Sequence, residues 1–426
     1  MDLQRELATA YQKVGDLQGN PYSSNIGDSE GALASYRKAL AIRERLAAAY
    51  PRSVEDRRAL SSSLGRVADI LWAKGDVSAA LDTYRRALTI DEELASGSSD
   101  RETRRNLWMA YRKAAYAQAQ SGDFEGALET FGKSRVIIEA LAATDPDDPH
   151  MMRDMSAHYT SLGEVHGETG DLAGSLEYFR RALDLDRKLA AMDPANAQAA
   201  EEVGVGYANV GVALRKMGDV EGAIANFRKS VEIFEASLKA DPTNAQLARN
   251  VAVEIRNVGE LLNEKGDITG ALSNFRRALE IVDRLAAADP NNMLMTTEQA
   301  ANLAPMSLAL AKSGNATAAI ENSERASALA AKLSEMNPDN EELHAFMSSI
   351  IAYEGRTYSL MAGNNLAYWQ KARESLKRSL DILIEMKNRS AWSSTAFGDP
   401  EQIAREIALC DANIERLQRR RAQGNP

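Results

Sequence analysis

Apolar residues recur along most of the chain at three- and four-residue steps, with polar residues between them. Between positions 197 and 244 one such series consists of Val203, Tyr207, Val210, Leu214 and Met217, and a second consists of Ala223, Ile224, Phe227, Val231 and Phe234. This spacing places apolar side chains on one face of an α-helix. The pattern therefore predicts two consecutive amphipathic helices, at about 198–217 and 221–240.

Gly218 and Asp219 separate the two predicted helices and indicate a very short turn. Glycine can adopt the left-handed conformation that closes a helix, and aspartate can cap the start of the next one. The second helix is expected to end before Asp241 and Pro242, because the residue before a proline disfavours the helical conformation. This stretch therefore predicts a helical hairpin.

The hairpin pattern repeats at a regular interval along the chain. Turn glycines recur at nearly equal steps, at Gly27, Gly75, Gly122, Gly170, Gly218, Gly266, Gly314 and Gly363. Five prolines keep the same interval, at Pro146, Pro194, Pro242, Pro290 and Pro338. A fixed period of this size indicates one supersecondary unit stacked on copies of itself.

We therefore predict an all-α fold, a right-handed α-solenoid or superhelix of about eight long helix pairs. The predicted units are about 1–52, 53–99, 100–148, 149–196, 197–244, 245–292, 293–340 and 341–388. The remaining residues, 389–426, are expected to form a loop and a C-terminal capping helix.

Small and aromatic residues occupy matching positions around the predicted turns. In the fifth unit, the residues Tyr207, Val210-Gly211, Leu214, Ala223, Phe227 and Pro242 resemble the pattern of tetratricopeptide repeats. The aromatic position recurs as Tyr36, Tyr84, Phe131, Phe179, Phe227 and Phe275. The resemblance covers about nine-tenths of the chain, although these units are longer than the usual length of about 34 residues. It implies helix pairs that cross closely at small residues, with the rings filling the gap toward the next pair.

Both ends of the sequence carry a second resemblance. The segments LATAYQKVGDLQGNPYSSNIGDSEGALASYRKAL, YWQKARESLKRSLDIL and DPEQIAREIALCDANI resemble the C-terminal tetratricopeptide region of bacterial serine/threonine protein kinases. This resemblance implies a parent protein in which a kinase domain precedes the array, sometimes with a membrane span between them. Neither the kinase domain nor the span is part of this sequence.

The repeat pattern is irregular in its first and seventh units. A duplicated turn signal between Gly15 and Gly27 predicts an inserted loop at Leu17–Ile26. Such a loop can carry function, and a tolerated surface insertion is the alternative. Pro305 falls within a predicted helix, where proline removes a backbone hydrogen bond, so a bend or a split helix is expected there. A hinge or a gap that admits a ligand is one interpretation, and drift of the sequence is the other.

The C-terminal part departs from the pattern as well. An insertion after Gly363 is followed by a polar loop at 387–398 and by a final helix that begins at Asp399-Pro400. Its apolar positions alternate by four and three residues, at Ile403, Ile407, Cys410, Ile414 and Leu417. A single apolar seam with a charged outer face is typical of a terminal capping helix. Dimerisation through the same seam is the alternative.

Composition and charge narrow the function classes. The chain is 44% apolar and 6% aromatic, which suits long helices, and its formal net charge is −10. We expect no nucleic-acid partner, because basic and acidic residues alternate and form no basic stripe. No stretch approaches the length of a membrane span, so this chain is not expected to insert into a membrane. We expect a cytoplasmic location, and an extracytoplasmic one if a parent chain has a span before the array.

The sequence contains no recognisable catalytic motif. A kinase needs a glycine-rich loop, a phosphate-pairing lysine and metal-binding aspartates, and this set is not present. His158 and His166 share one predicted helix without a metal-binding spacing, and Cys410 has no paired base. We therefore predict no catalytic, cofactor-binding or metal-binding residues and no enzyme in this chain. Any kinase domain would belong to a separate part of a parent protein.

The first helix of each pair is expected to line a concave surface. Positions on these helices that face outward are Trp72, Met109, Arg112, Tyr116, Glu164, Arg215, Arg256 and Asn263. Tryptophan, tyrosine and arginine commonly anchor bound peptides, so these residues form a candidate peptide-binding groove. An acidic segment would suit it, which requires Arg112, Arg215 and Arg256 to face solvent. The alternative is that these side chains only cover exposed helix surface.

These observations predict a non-catalytic scaffold for protein–protein interaction that binds a protein or peptide partner. The resemblance to kinase regions favours the regulatory or sensory arm of a bacterial serine/threonine kinase. The alternatives are a free-standing adaptor and a self-assembling structural array, in which the unpaired first helix docks on another copy.

Overall fold

The computed structural model describes residues 2–21, 25–98, 100–290, 292–338, 340–389 and 399–422. These residues form seventeen α-helices and no β-strand, so the predicted all-α class is confirmed. None of the described helices combines the length and apolar character needed to span a bilayer.

The chain divides into two compact units, residues 1–192 and 193–426. The first unit contains α1 (Asp2–Gly19), α2 (Ser29–Ala49), α3 (Val54–Ala73), α4 (Val77–Ser96), α5 (Arg101–Gln120), α6 (Phe124–Ala142), α7 (Pro149–Glu168) and α8 (Leu172–Met192). The second contains α9 (Ala197–Lys216), α10 (Val220–Ala240), α11 (Ala245–Glu264), α12 (Ile268–Ala288), α13 (Met293–Lys312), α14 (Ala316–Met336), α15 (Glu341–Ala362), α16 (Leu366–Arg389) and α17 (Pro400–Ala422). Each odd-numbered helix from α1 to α15 packs against the helix that follows it.

Turn glycines close these helical hairpins as the sequence predicts. Seven of the eight have φ between +79° and +85°, and Gly363 has φ +46°, all in the range that favours glycine. In the fifth hairpin, Asp219 caps α10 by accepting a hydrogen bond from the Gly222 amide at 2.9 Å. The turn therefore needs only a few residues between the helices.

Small residues let the two helices of a hairpin approach each other. A Cβ added to Gly211 would lie 2.8 Å from the Phe227 ring, and one added to Gly163 would lie 2.6 Å from the Phe179 ring. Each ring therefore packs on the glycine of its own hairpin. Serine marks a second close contact in several hairpins, as where Ser134 donates to the Trp108 carbonyl.

The first hairpin turns later than its glycine pattern suggests. Helix α1 continues to Gly19, so the first part of the expected Leu17–Ile26 loop is helical. The Ile26 and Asp28 amides donate to the Leu17 and Gln18 carbonyls, and these hydrogen bonds close the turn onto the end of α1. Residues 22–24 lie outside the described part of the chain.

Helix α13 passes through Pro305 without interruption, so the expectation of a split helix is wrong. Pro305 and its neighbours Leu303, Ala304 and Met306 are buried, and α13 packs against α12, α14 and α15. This packing holds the helix together, because tertiary contacts outweigh the loss of one backbone hydrogen bond.

The insertion after Gly363 does not form a long loop. Asn365 caps α16 by accepting from the Ala367 amide, and the added residues extend α16 at its N-terminus. Helix α16 then continues to Arg389, so the start of the loop predicted at 387–398 is helical, and 390–398 lie outside the described residues. Helix α17 packs on α16 through a row of buried residues, Ile403, Cys410 and Leu417.

Candidate protein-binding groove

A cavity of about 500 Å³ lies in the first unit, on the side where α3 and α5 run beside each other. Helix α3 contributes Arg66 and Asp69, and α5 contributes Met109 and Lys113. Tyr rings from the second helices of two successive hairpins complete the lining, from α2 and α4, together with the loop that follows α1. The cavity is therefore formed by side chains from several repeats.

The first of these rings belongs to a hydrogen-bonded group of three side chains. The Tyr36 hydroxyl donates to Asp16 Oδ1 at 2.7 Å, and Arg66 pairs with the same carboxylate. The Arg66 guanidinium also lies 5.9 Å from the centre of the Tyr36 ring. Burial, together with the hydrogen bond to Asp16, raises the pKa of Tyr36 above its usual value. This tyrosine therefore remains a neutral donor.

The same arrangement recurs one hairpin later. The Tyr84 hydroxyl donates to Asp69 Oδ1 at 2.5 Å, and Lys113 Nζ lies 2.7 Å from both Asp69 oxygens. Both groups join one hairpin to the next, because the basic side chain, Arg66 or Lys113, comes from the following odd-numbered helix. They give this cavity fixed charges whose signs balance locally.

These two groups were not among the predicted site residues, although the sequence contains a signal for them. The aromatic position after the turn is tyrosine in the first two hairpins and phenylalanine in the next four, from Phe131 to Phe275. A buried tyrosine hydroxyl needs a hydrogen-bond partner, whereas phenylalanine needs none. The first two hairpins have tyrosine in place of phenylalanine, and an aspartate follows the small residue of their first helix. These two features together indicate the hydrogen-bonded Tyr–Asp groups.

Asp91 is another buried acid in the cavity lining. Its side chain accepts a hydrogen bond from Ser61 at 2.7 Å, and burial raises its pKa to about 6. The cavity thus contains one carboxyl group that takes up a proton at mildly acidic pH.

Four of the residues predicted for the groove lie together beside this cavity. Met109 lines the cavity, and Arg112 and Tyr116 follow it on the same face of α5 at steps of three and four residues. The Tyr116 ring lies 5.3 Å from the Trp72 ring of α3, with the two planes tilted by 51°. We call this row, Trp72, Met109, Arg112 and Tyr116, the α5 strip. Burial and the nearby Glu164 carboxylate of α7 raise the pKa of Tyr116.

Arg112 has no carboxylate partner among the described residues. Its guanidinium lies 5.7 Å from the centre of the Trp108 ring, and its Nε atom is buried without a hydrogen-bond acceptor in the described part of the chain. The positive charge of Arg112 is therefore not neutralised by a carboxylate of the described residues.

The other predicted groove residues, in the second unit, are engaged within the fold. Arg215 pairs with Glu260 at 2.7 Å and with Glu264 at 2.9 Å. Arg256 pairs with Glu298 at 2.6 Å and its side chain is only 15% exposed. The expectation that Arg256 faces solvent is therefore wrong, and the half-buried Arg215 is occupied by two carboxylates.

Asn263 is buried as well. Lys312 Nζ donates to its side-chain oxygen at 2.9 Å and to its carbonyl at 3.2 Å. These contacts join α11 to α13 across about one repeat length of the sequence. Residues one repeat apart occupy equivalent places on neighbouring odd-numbered helices, so opposite charges at that separation pair with each other rather than with a ligand.

Similar ion pairs join odd-numbered helices elsewhere in both units. They include Arg5–Asp56, Arg105–Asp154, Arg249–Glu298 and Arg356–Glu406. In the sequence, these pairs are marked by opposite charges separated by about one repeat length. Arginines without an opposite charge at that separation are the better candidates for ligand binding.

His158 is buried in the core of the first unit, where its ring lies 5.8 Å from the Phe131 ring. Both of its ring nitrogens are buried without a hydrogen-bond partner among the described residues, and burial lowers its pKa to about 3. Within that same set of residues, no three His, Cys, Asp or Glu side chains are grouped closely enough to hold a metal ion.

Family comparison agrees with the repeat pattern. Two family models described as "Tetratricopeptide repeat" match residues 61–94 and 159–189, and residues 206–243. The chain contains tetratricopeptide repeats. The matched segments fall in both units and include the hairpins closed by Gly75, Gly170 and Gly218. Tetratricopeptide repeats generally mediate protein–protein interaction, and no curated protein matches this chain.

One solved structure supports the same fold along nearly the whole chain. The crystal structure of the apo form of RapI is 14% identical, covers 97% of this chain and 99% of its own, and gives a TM-score of 0.56. Two others resemble the chain more weakly. A tetratricopeptide repeat protein from Parabacteroides merdae is 14% identical over 82% of this chain and 98% of its own, with a TM-score of 0.43. BtubC from P. vanneervenii is 20% identical over 61% of this chain and 92% of its own, with a TM-score of 0.47.

Proposed function

We propose that this chain is a non-catalytic scaffold that binds a segment of a partner protein along the α5 strip and the adjoining cavity. One observation carries the proposal: the strip combines two contacting aromatic rings with an arginine that has no carboxylate partner among the described residues. Rigid aromatic rings and arginine are the residue types that contribute most to binding energy at protein interfaces.

The partner segment is proposed to carry an acidic residue next to an apolar one. The acidic group would pair with Arg112, because an unpaired guanidinium gains a charge-assisted hydrogen bond. The apolar side chain would pack on Trp72 of α3 and on Tyr116, which lies two turns after Met109 on α5. The second unit is a less suitable acidic-peptide site, because Arg215 and Arg256 already bind glutamates.

Charge reversal at Arg112 tests this proposal. Partners captured from the source cell by the unmodified chain would be identified by mass spectrometry, and binding segments mapped with overlapping peptides. Arg112→Glu is expected to weaken binding of the mapped peptide at least tenfold, since one interface arginine can contribute about 2 kcal/mol or more. Tyr116→Ala is expected to weaken binding of the same peptide.

Arg37→Glu provides the matched control. Arg37 is an exposed arginine on α2 of the same unit, outside the α5 strip and the cavity lining. It makes the same charge change, so it should leave peptide affinity unchanged. Equal binding by the Arg112→Glu variant, with unchanged helical circular dichroism, would place the site elsewhere on the molecule.

The wider context is a separate proposal, carried only by the two terminal segments that resemble kinase tetratricopeptide regions. In this proposal the array is the regulatory or sensory arm of a bacterial serine/threonine kinase and acts on the cytoplasmic side, with a free-standing adaptor as the alternative. The reading frame before Met1 in the source genome distinguishes them. A kinase domain encoded in frame supports the first, and a stop codon directly upstream supports the second.

A further inference from the structure

Helix α1 presents an apolar face to solvent. Leu3 is 77% exposed, Leu7 and Val14 are each 45% exposed, and Leu17 is 68% exposed. Ala10 lies between them and is also exposed. These five residues alternate by four and three positions, which is the heptad spacing of a coiled-coil seam. We call them the α1 seam.

The equivalent positions are buried in the next first helix. In each hairpin, a small residue of the first helix packs on the aromatic ring of the second helix. Gly15 of α1 packs on Tyr36 in this way, so Gly15 corresponds to Ala68 of α3. In this alignment Val14 corresponds to Val67 and Leu17 to Ile70, which are 4% and 0% exposed. Helix α2, which packs antiparallel to α3 across a short turn, helps to cover them. This face of α3 is therefore covered by a helix that runs antiparallel to it.

We propose that the α1 seam pairs with the α1 seam of a second copy of this chain in an antiparallel arrangement. Antiparallel coiled-coil layers join an a position to a d position. One register of this kind sets Leu7 opposite Ala10 of the second copy and Leu3 opposite Val14 of the second copy. The two-fold axis repeats both layers, so four layers are filled by apolar residues.

Charge favours this register. It brings the exposed Glu6 beside Lys13 of the second copy, and the two-fold axis makes the pair twice. The antiparallel register shifted by one heptad brings Lys13 beside Lys13 of the second copy instead. A parallel pairing sets Glu6 near Tyr11 and Lys13 near Gln18, which forms no ion pair. Opposite charges therefore meet only in the first arrangement.

The symmetry also determines the size of the assembly. Both copies use the same surface, so the contact is isologous and closes after two chains. The open array that an unpaired first helix would otherwise produce is thereby excluded. The dimer contact involves neither the α5 strip nor the cavity, so it is independent of the proposed peptide binding.

Sedimentation equilibrium of the full chain provides the test. At high micromolar concentration the unmodified chain should have twice the 46.4 kDa monomer mass. Leu7→Asp should give monomers, because it places a carboxylate in the seam. Below the dimer Kd its thermal unfolding should match that of the unmodified chain, because Leu7 is not part of the core. Val136→Asp on α6, where Val136 is 65% exposed, is the control and should leave the dimer intact.

A charge-swap cycle tests the register. Glu6→Lys and Lys13→Glu should each raise the dimer Kd about tenfold, because two attractive pairs become repulsive. The double variant Glu6→Lys/Lys13→Glu should restore the Kd to within about threefold of the unmodified chain. A monomeric unmodified chain, a Leu7→Asp variant that still dimerises, assemblies larger than a dimer, or a double variant without recovery would each overturn the proposal.

Discussion

At the scale of single residues, the absence of a side chain determines where two helices meet. Gly211 packs under the Phe227 ring, and Gly259 packs under Phe275 in the same way. A methyl group at Gly211 would lie 2.8 Å from its ring and one at Gly259 would lie 2.9 Å from its ring. A dense interior cannot absorb such contacts without moving the helix or the ring. The aromatic residue in turn is almost fully buried, so ring and glycine depend on each other.

We therefore expect Gly211→Ala to destabilise the chain by about 1–3 kcal/mol, as overpacking does in other cores. Gly132→Ala is the matched control, because Gly132 also lies inside a helix but a Cβ there meets no atom within 4 Å. That change should stabilise α6 by about 0.5–1 kcal/mol through the higher helix propensity of alanine. Chemical denaturation of both variants measures the difference. Two changes of the same sign and size would show that helix propensity, and not close packing, decides at Gly211.

At the scale of elements, helix length and helix burial are set by different parts of the sequence. Turn glycines and capping residues end the helices, which is why the observed bounds of α9 and α10 lie so close to the predicted ones. Burial overrides local signals in α13, where Pro305 lies inside a continuous helix. Helices α1 and α16 also continue into segments whose polar residues suggest loops.

Helix α17 provides a test at this scale. We expect Ile403→Asp to detach α17 from α16, because a carboxylate placed among Trp369, Leu376 and Cys410 costs about 3 kcal/mol or more when it stays buried. The uncovered face of α16 should bind a hydrophobic dye and promote association. Leu409→Asp on the exposed side of α17, where Leu409 is 54% exposed, is the control and should change stability by less than about 0.5 kcal/mol. If both variants bind dye equally, α17 is not held by its seam.

At the scale of the whole molecule, two buried groups, His158 in the first unit and Glu254 in the second, should make stability respond to pH with opposite signs. Burial lowers the pKa of His158 in the first unit to about 3 and raises the pKa of Glu254 in the second unit to about 7. A histidine with a lowered pKa makes the folded state less stable as pH falls from about 6.5, because only the unfolded chain takes up the proton. A carboxyl with a raised pKa makes the folded state less stable as pH rises from about 4.5 toward 7, because the carboxyl ionises only in the unfolded chain.

Two substitutions separate these effects. His158→Met should stabilise the first unit relative to the unmodified chain by an amount that grows by about 2 kcal/mol between pH 7 and pH 5. Glu254→Gln should stabilise the second unit by an amount that grows as pH rises from 5 to 8. Thermal unfolding across this pH range, followed by hydrogen exchange in each unit, measures both. Parallel pH profiles for the two variants would contradict the opposite pKa shifts.

The sequence by itself determined the helical class, the hairpin unit and its turns, because these depend on contacts close along the chain. Apolar spacing defines a helix face, a glycine defines a turn, and the constant interval between turn glycines defines the repeat. The seam of α17 and the buried Cys410 followed from the same local spacing. The aromatic and small residues around each turn also identified the repeat type.

Only the tertiary structure decided which charged side chains remain available for binding. Arg112 and Arg256 each lie ten residues before the turn glycine of their hairpin, but Arg256 faces a glutamate about one repeat away and Arg112 does not. Arg215, in the last turn of α9, also faces a glutamate about one repeat away. Helical periodicity tells which face a side chain occupies and says nothing about the partner that a neighbouring helix brings to it. An ion pair needs two oppositely charged atoms within about 4 Å of each other, and that distance exists only after the hairpins have packed.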